Sequence, residues 1–308
     1  MHPLAESAAR RYELIARGGN AARVVPWSRQ DRLCGLGGCS PLVVASERDQ
    51  TASHFYSSCR EHGWPVVWLA HEDVQYGEVT FADLDDAVGH ALGVYFREPL
   101  ADDGTEAWIA AVVRAVVLRA RNLIGPSPTS TNWSKPLHLL KLQTALRLKN
   151  NITVPVTTLV SYLDNRCDGV LKAIGGLPAY AVPAADHRGC EGVGPLLVQE
   201  FVDGEELRVH VIDDIVITYA LVKNGFDYRE DGLECAVRAA LTEAERVAML
   251  ALCRSEGARF AGVDVIRAGE RLSVLEVNPM PGYSYFEEIA DDGFPISAAL
   301  YERLSNAS

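Results

Sequence analysis

A chain of 308 residues with 41 acidic against 29 basic side chains, a formal charge of −12, offers no basic face to a phosphodiester backbone, which excludes nucleic acid as a partner. Hydrophobic content of 48% and charged content of 23% describe an ordinary globular protein long enough for two or three lobes, and no apolar run approaches the ~18 residues that would span a membrane. Seven scattered cysteines with no CxxC pair exclude a disulfide framework and a zinc site, and point to reduced thiols in a cytoplasmic protein.

The N-terminal stretch carries Glu6 and Glu13 and lacks an apolar core, so it reads as no secretion signal. Cys34-Gly35-Leu36-Gly37-Gly38-Cys39 precedes the first strand where a phosphate loop would follow one, and is read as a turn. Pro41–Ala45, Pro65–Ala70 and Ala91–Phe96 are short apolar runs of strand type, with helices expected over Thr51–Gly63 and Trp108–Arg121. Such alternation predicts a largely parallel sheet. His71-Glu72-Asp73 is expected in a solvated loop. Ile124-Gly125-Pro126-Ser127-Pro128 breaks the pattern and marks a boundary.

Ser134 is placed as the N-cap of a helix reaching Leu148, with Lys135 exposed at its start. Thr153–Val160 and Gly169–Ile174 are read as partner strands. In the second, Lys172 shares an apolar face with Val170 and Ile174 and calls for a counter-charge. Gly175-Gly176 follows. Leu196–Val209 reads as strand, short connection, strand, with Glu206 and Arg208 on one face. Val216–Val222 is a further strand ending at Lys223, and Asp227-Tyr228-Arg229 lies in the loop beyond. Thr242 to Glu245 is a capping-box pattern opening a helix that Gly257 closes. A final helix is expected over Ile296–Leu304.

Before it come two strands, Phe260–Ile266 and Leu272–Val277, joined by a turn at Gly269. Glu276 and Asn278 are two residues apart and share a face, and a turn near Gly269 or Glu270 sets Asp264 opposite or close to Glu276. Carboxylates in an apolar hairpin need a counter-charge, and a hard divalent cation with oxygen ligands is the expected one.

Asp264, followed by Glu276-Val277-Asn278-Pro279 and the Pro281-Gly282 turn, resembles the metal-binding end of the ATP-grasp ligases. From about Thr131 to Leu304 the order of features is similar to the branch of RimK-type and graspetide-synthetase enzymes. The resemblance implies an α/β and α+β chain of the ATP-grasp fold. It divides into an N-terminal pre-ATP-grasp domain over 1–125, a central lobe over 126–198 and a C-terminal lobe over 199–308, the last two clamping ATP. It also implies ATP contacts from Lys135 and Lys172, and an adenine hinge from Gln199 to Val202 acting through backbone groups of Glu200 and Val202. Glu206 would hold the ribose, Arg208 and Lys223 would line the phosphate end, and Asp264, Glu276 and Asn278 would hold Mg²⁺, with Mn²⁺ as a substitute. Asp227-Tyr228-Arg229 resembles an Asp-Trp-Arg or Asp-Phe-Arg element whose arginine serves an acyl phosphate. Tyr228, Met280-Pro281-Gly282-Tyr283 and the short Gly175-Gly176 lid differ from the graspetide forms.

The implied activity is ADP-forming ligation of a carboxylate to an amine, on small-molecule or peptide substrates, with a homodimer among the expectations. A small-molecule kinase, a peptide-crosslinking ligase and a non-catalytic nucleotide-binding regulator stand as alternatives. Of the two lysines, Lys172 is expected to matter more, because an apolar strand face strengthens a phosphate contact.

Overall fold

Leu42–Ala45 (β1) is buried along its whole length, as a strand covered on both faces must be. In this computed structural model, which describes residues 40–99, 107–147, 151–160, 169–172, 174, 181–187, 195–226 and 232–306, it centres a parallel sheet. Asp49 caps Gln50–Glu61 (α1) by accepting from Ala52 N–H at 2.8 Å, and α1 buries Ala52, Phe55 and Cys59. The chain then passes through Val67–Ala70 (β2), His71–Gln75 (α2), Phe81–His90 (α3), Val94–Phe96 (β3), Ala107–Val117 (α4) and Leu123–Ile124 (β4). Strand order is β2-β1-β3-β4, parallel throughout. His71-Glu72-Asp73 is not a solvated loop: it forms the first turn of α2, with His71 and Asp73 buried and the Asp73 carboxylate accepting from Ala70 N–H at 2.9 Å.

Lys135–Leu146 (α5) follows the Pro126–Pro128 breaker, and its Ser134 N-cap makes no side-chain hydrogen bond. The expected strand Thr153–Val160 is in fact two. Pro155 has no N–H to give a ladder, and the chain leaves one sheet for another across it. Ile152–Thr153 (β5) and Thr157–Val160 (β6) therefore belong to different sheets. Val170–Lys172 (β7), Ala181–Pro183 (β8) and Leu196–Gln199 (β9) complete the second sheet in the order β6-β9-β7-β8. So β9 separates β6 from β7, which were expected to pair directly.

The third sheet has six strands. Glu205–Ile212 (β10), Ile215–Lys223 (β11) and Leu233–Arg238 (β12) form a meander, and Glu243–Ser255 (α6) then leads to Phe260–Ala268 (β13) and Arg271–Asn278 (β14). Strand order is β12-β11-β10-β13-β14-β5. Ser284–Ala290 (α7) and Pro295–Ser305 (α8) close the described chain. One face of the sheet, with Leu207, Val209, Val263, Val265 and Val274, packs on Leu142 and Leu146 of α5 and Met249 and Leu252 of α6. Near Ile212, Ile217 and Phe260 the sheet packs on α8 and on Val43, Phe55 and Tyr95 of the N-terminal lobe. Arg259 ties the same two bodies, donating to Asp213 at 2.6 and 2.8 Å and to Asn122 Oδ1 at 2.6 Å.

The capping box of α6 is complete: Thr242 Oγ1 accepts from Glu245 N–H, and the Glu245 carboxylate accepts from Thr242 N–H at 2.7 Å. Thr242→Ala is expected to cost about 1 kcal/mol, seen as a lower urea midpoint at unchanged slope.

Candidate functional site

The hairpin of β13 and β14 turns at Gly269, whose φ of 61° suits a residue without Cβ. From Ala268↔Arg271 to Val265↔Val274 the two strands keep step. Then the register shifts by one, so that Asp264 faces Glu276 and Leu275 becomes the extra residue of a bulge. A one-residue slip reverses every side chain beyond it. Val274 and Val277 can therefore both sit in the core at 0% exposure, while Glu276 and Asn278 turn to the opposite face.

That face carries a row of charges. Asp264 lies between Glu276 on β14 and Arg208 on β10. Arg208 Nη1 donates to Asp264 Oδ1 at 2.5 Å, and Lys135 Nζ reaches Glu276 Oε1 at 2.5 Å and Asn132 Oδ1 at 2.9 Å. The carboxylates thus already have cationic partners within the chain, beside the divalent cation expected from the sequence. Lys135 is also buried at 7% exposure, not at an exposed helix start, because α5 lies against the sheet. Its own N–H donates to Ile174 O at 3.0 Å, two residues past Lys172, so the two lysine-bearing segments meet in the backbone. Lys172 ends β7 half-buried.

Gly262, two residues from Asp264 and facing Asn278, was not singled out in the sequence. A Cβ there would stand 2.4 Å from Arg208 Nη2 and 2.8 Å from Pro281 Cβ, so only glycine lets the guanidinium lie over the strand. His210 faces Gly262 from β10 and is fully buried. Burial, with Arg208 beside it, holds its imidazole well below the ordinary histidine range, and it stays neutral.

At the other end of the row, Lys223 pairs with Glu206 at 2.6 Å and donates to Phe226 O at 2.5 Å. Phe226 stacks against Phe201 at 6.2 Å between ring centroids. Residues 200–204 connect β9 of the four-stranded sheet to β10 of the six-stranded one. Gln199 is buried and its Nε2 donates to Thr157 Oγ1 at 3.1 Å. Glu200 N–H is donated to Val156 O at 2.8 Å. Val202 lies within the same connection. Arg229, with the rest of Asp227-Tyr228-Arg229, falls outside the described residues, as do the Cys34–Cys39 turn and Gly175-Gly176.

Among the described residues no three His, Cys, Asp or Glu side chains gather as a metal cluster. The candidate set is two carboxylates opposite one another and the Asn278 amide, whose Oδ1 accepts from Met280 N–H at 2.9 Å. Three hard oxygens on one face, flanked by cations suited to phosphate, fit Mg²⁺ carried on a nucleotide.

The ATP-grasp domain family matches residues 140–282. The structure of the ATP-grasp ligase PsnB complexed with minimal precursor superposes on 87% of this chain and 99% of its own, at a TM-score of 0.64 and 22% identity. The fold is ATP-grasp. The ATP-grasp match takes in Lys172, the hinge, Arg208 and the whole hairpin, and begins just after Lys135. A probable alpha-L-glutamate ligase of Histophilus somni is 36% identical over 100 residues, 30% of this chain and 33% of its own. One of Marinobacter nauticus is 28% identical over 200 residues, 56% of this chain and 65% of its own. The chain thus spans about a third of the first relative's length and about two thirds of the second's. The ATP-grasp resemblance read from the hairpin residues is the right one, and the relatives fall in the branch it named. Among the described residues no helix is long and apolar enough to cross a membrane.

Proposed function

We propose that this ATP-grasp protein is an ATP-dependent, ADP-forming carboxylate-amine ligase. The observation that carries the reading is the row Lys135–Glu276–Asp264–Arg208, in which two carboxylates suited to a metal stand between two cations suited to phosphate. Asp264, Glu276 and Asn278 are the residues that would hold Mg²⁺, which when bound supplies charge neutralisation at the transferring phosphoryl group. Lys135 and Arg208 exchange their carboxylate partners for phosphate oxygens when nucleotide enters, and Lys172 adds a third cation. The Glu200 carbonyl and the Val202 backbone receive the adenine. Glu206 takes the ribose hydroxyls, and Lys223, its ion-pair partner, lines the phosphate end.

A carboxylate is a poor electrophile because oxide would have to leave. Moving the γ-phosphoryl group onto it gives an acyl phosphate, and attack by the amine then expels inorganic phosphate. Arg229 is assigned to the acyl phosphate, where a guanidinium fork matches its oxygens. The neighbour PsnB is described with a precursor and the relatives as glutamate ligases, so a peptide or an amino acid is the proposed substrate. The division at 1–125, 126–198 and 199–308 and a cytoplasmic location belong to the same reading.

Its test is ADP and phosphate release across pooled amino acids and peptides, with product masses read in parallel. Ligation predicts that ADP and free phosphate appear together, in equal amounts, only when both a carboxylate and an amine are present. ADP without free phosphate, with a phosphorylated product, would make the protein a kinase.

A further inference from the structure

His138 lies one helical turn beyond Lys135 on α5 and is fully buried. Its Nε2 accepts from Val277 N–H at 3.0 Å. An imidazole nitrogen that accepts from an amide carries no proton, so in the neutral ring the proton is on Nδ1. Nδ1 stands 3.1 Å from Thr131 Oγ1, and that hydroxyl reaches Glu256 Oε1 at 3.0 Å. Glu256 is buried at the end of α6, also accepting from Thr131 N–H at 2.7 Å and pairing with Lys141 at 3.2 Å. Burial pushes its carboxyl up, but the nearby His138 ring and the hydrogen bonds from Thr131 outweigh this and hold it at about 2, so it is an anion under ordinary conditions.

Val277 stands between Glu276 and Asn278. It also follows the bulge, where the ladder to β13 has just shifted. On its other side β14 is accompanied by β5 only at Leu272 and Ser273. β13 pairs this stretch on one edge, and on the other α5 holds it: Lys135 takes the Glu276 side chain, and His138 takes the next backbone amide.

We propose that His138 is the positioning residue of this strand, holding the backbone between Glu276 and Asn278 so that both present their oxygens to the metal, with Thr131 and Glu256 fixing its tautomer. It rests on the metal reading given above. Groups that orient metal ligands from behind typically contribute ten- to a hundredfold in metal affinity. His138→Leu removes the acceptor, while His138→Gln keeps an amide oxygen near the position of Nε2. Mn²⁺ binding to the ADP-loaded protein, followed by the signal of free Mn²⁺, should weaken about ten- to a hundredfold in His138→Leu and stay close to wild type in His138→Gln. Without metal, ADP affinity should not change, and the Val277 amide should exchange faster in His138→Leu.

Equal Mn²⁺ affinity in the Leu and Gln variants would overturn the proposal, as would undiminished Val277 protection in His138→Leu. Should the Leu variant not fold, the wild type decides: a nitrogen–nitrogen coupling across the hydrogen bond from Val277 to an unprotonated Nε2 is expected, and an Nε2–H tautomer sinks the idea. Wild type that binds no Mn²⁺ would overturn the metal reading beneath it; loss of the coupling with Mn²⁺ binding intact would overturn this proposal alone.

Discussion

Asp264→Ala is expected to lose metal-dependent turnover and about 3–5 kcal/mol of stability together, whereas Asn278→Ala should lose turnover at nearly unchanged stability. The difference lies in what each side chain leaves behind. Arg208 has a 5% exposed side chain and donates to Asp264, itself 12% exposed, at 2.5 Å. Removing that carboxylate strands a guanidinium charge where water cannot replace its partner, and a charge desolvated on one side only is among the costliest changes a core can suffer. His210 offers no compensation, since its buried ring is neutral and already close to Arg208. Asn278 is half-buried and gives up one hydrogen bond, to Met280 N–H, worth about 1 kcal/mol. Urea midpoints and Mg²⁺-dependent ADP release on both variants separate the two roles. Normal turnover of Asn278→Ala with Mg²⁺ would remove the metal assignment. Wild-type stability in Asp264→Ala would mean that the Arg208 pair supports nothing.

The charged hairpin was legible because its residues carry chemistry and strands repeat every two positions, so Asp264, Glu276 and Asn278 could be set on one face without coordinates. The bulge beside them was not read, although a signal for it exists. Leu272, Val274 and Val277 are buried, and their spacing of two and then three is what one inserted residue produces. Gly262 offered a similar clue, since glycine inside a strand marks a place where another group comes close. Pro155 should have divided the strand that crosses it, because a ladder cannot continue through a residue with no N–H. The short Leu233–Arg238 strand and α7 went unread because each is brief and gets its place from neighbours distant in the chain, such as Tyr285, whose hydroxyl accepts from Leu233 N–H. Burial of Lys135 had no local signature at all. Its partner is 141 residues away, and a lysine at a helix start reads as solvated until the sheet beneath the helix is known.

That burial reverses the expected ranking of the two lysines. Lys135→Met is expected to weaken ATP binding by about 1.5–3 kcal/mol, the value of a charge-assisted contact, or roughly ten- to a hundredfold in Kd. It should also lower stability by about 3 kcal/mol, because the Glu276 carboxylate, 15% exposed, loses the ammonium at 2.5 Å. Methionine keeps the helix propensity and most of the stem, so neither loss can be assigned to α5 unwinding. A third consequence has the opposite sign. In the metal-free protein Lys135 and a cation compete for the same Glu276 oxygen, so Mn²⁺ alone should bind Lys135→Met more tightly than wild type even as ATP binds it less well. Lys172→Met, at a half-buried strand end, should also lose nucleotide affinity. Urea midpoints, ATP titrations and nucleotide-free Mn²⁺ titrations on Lys135→Met give three numbers whose signs are all fixed in advance. If Lys135→Met keeps its stability and does not bind Mn²⁺ more tightly, the Lys135–Glu276 pair is not the element that phosphate and metal share between them, and the row of charges loses its meaning as a nucleotide site.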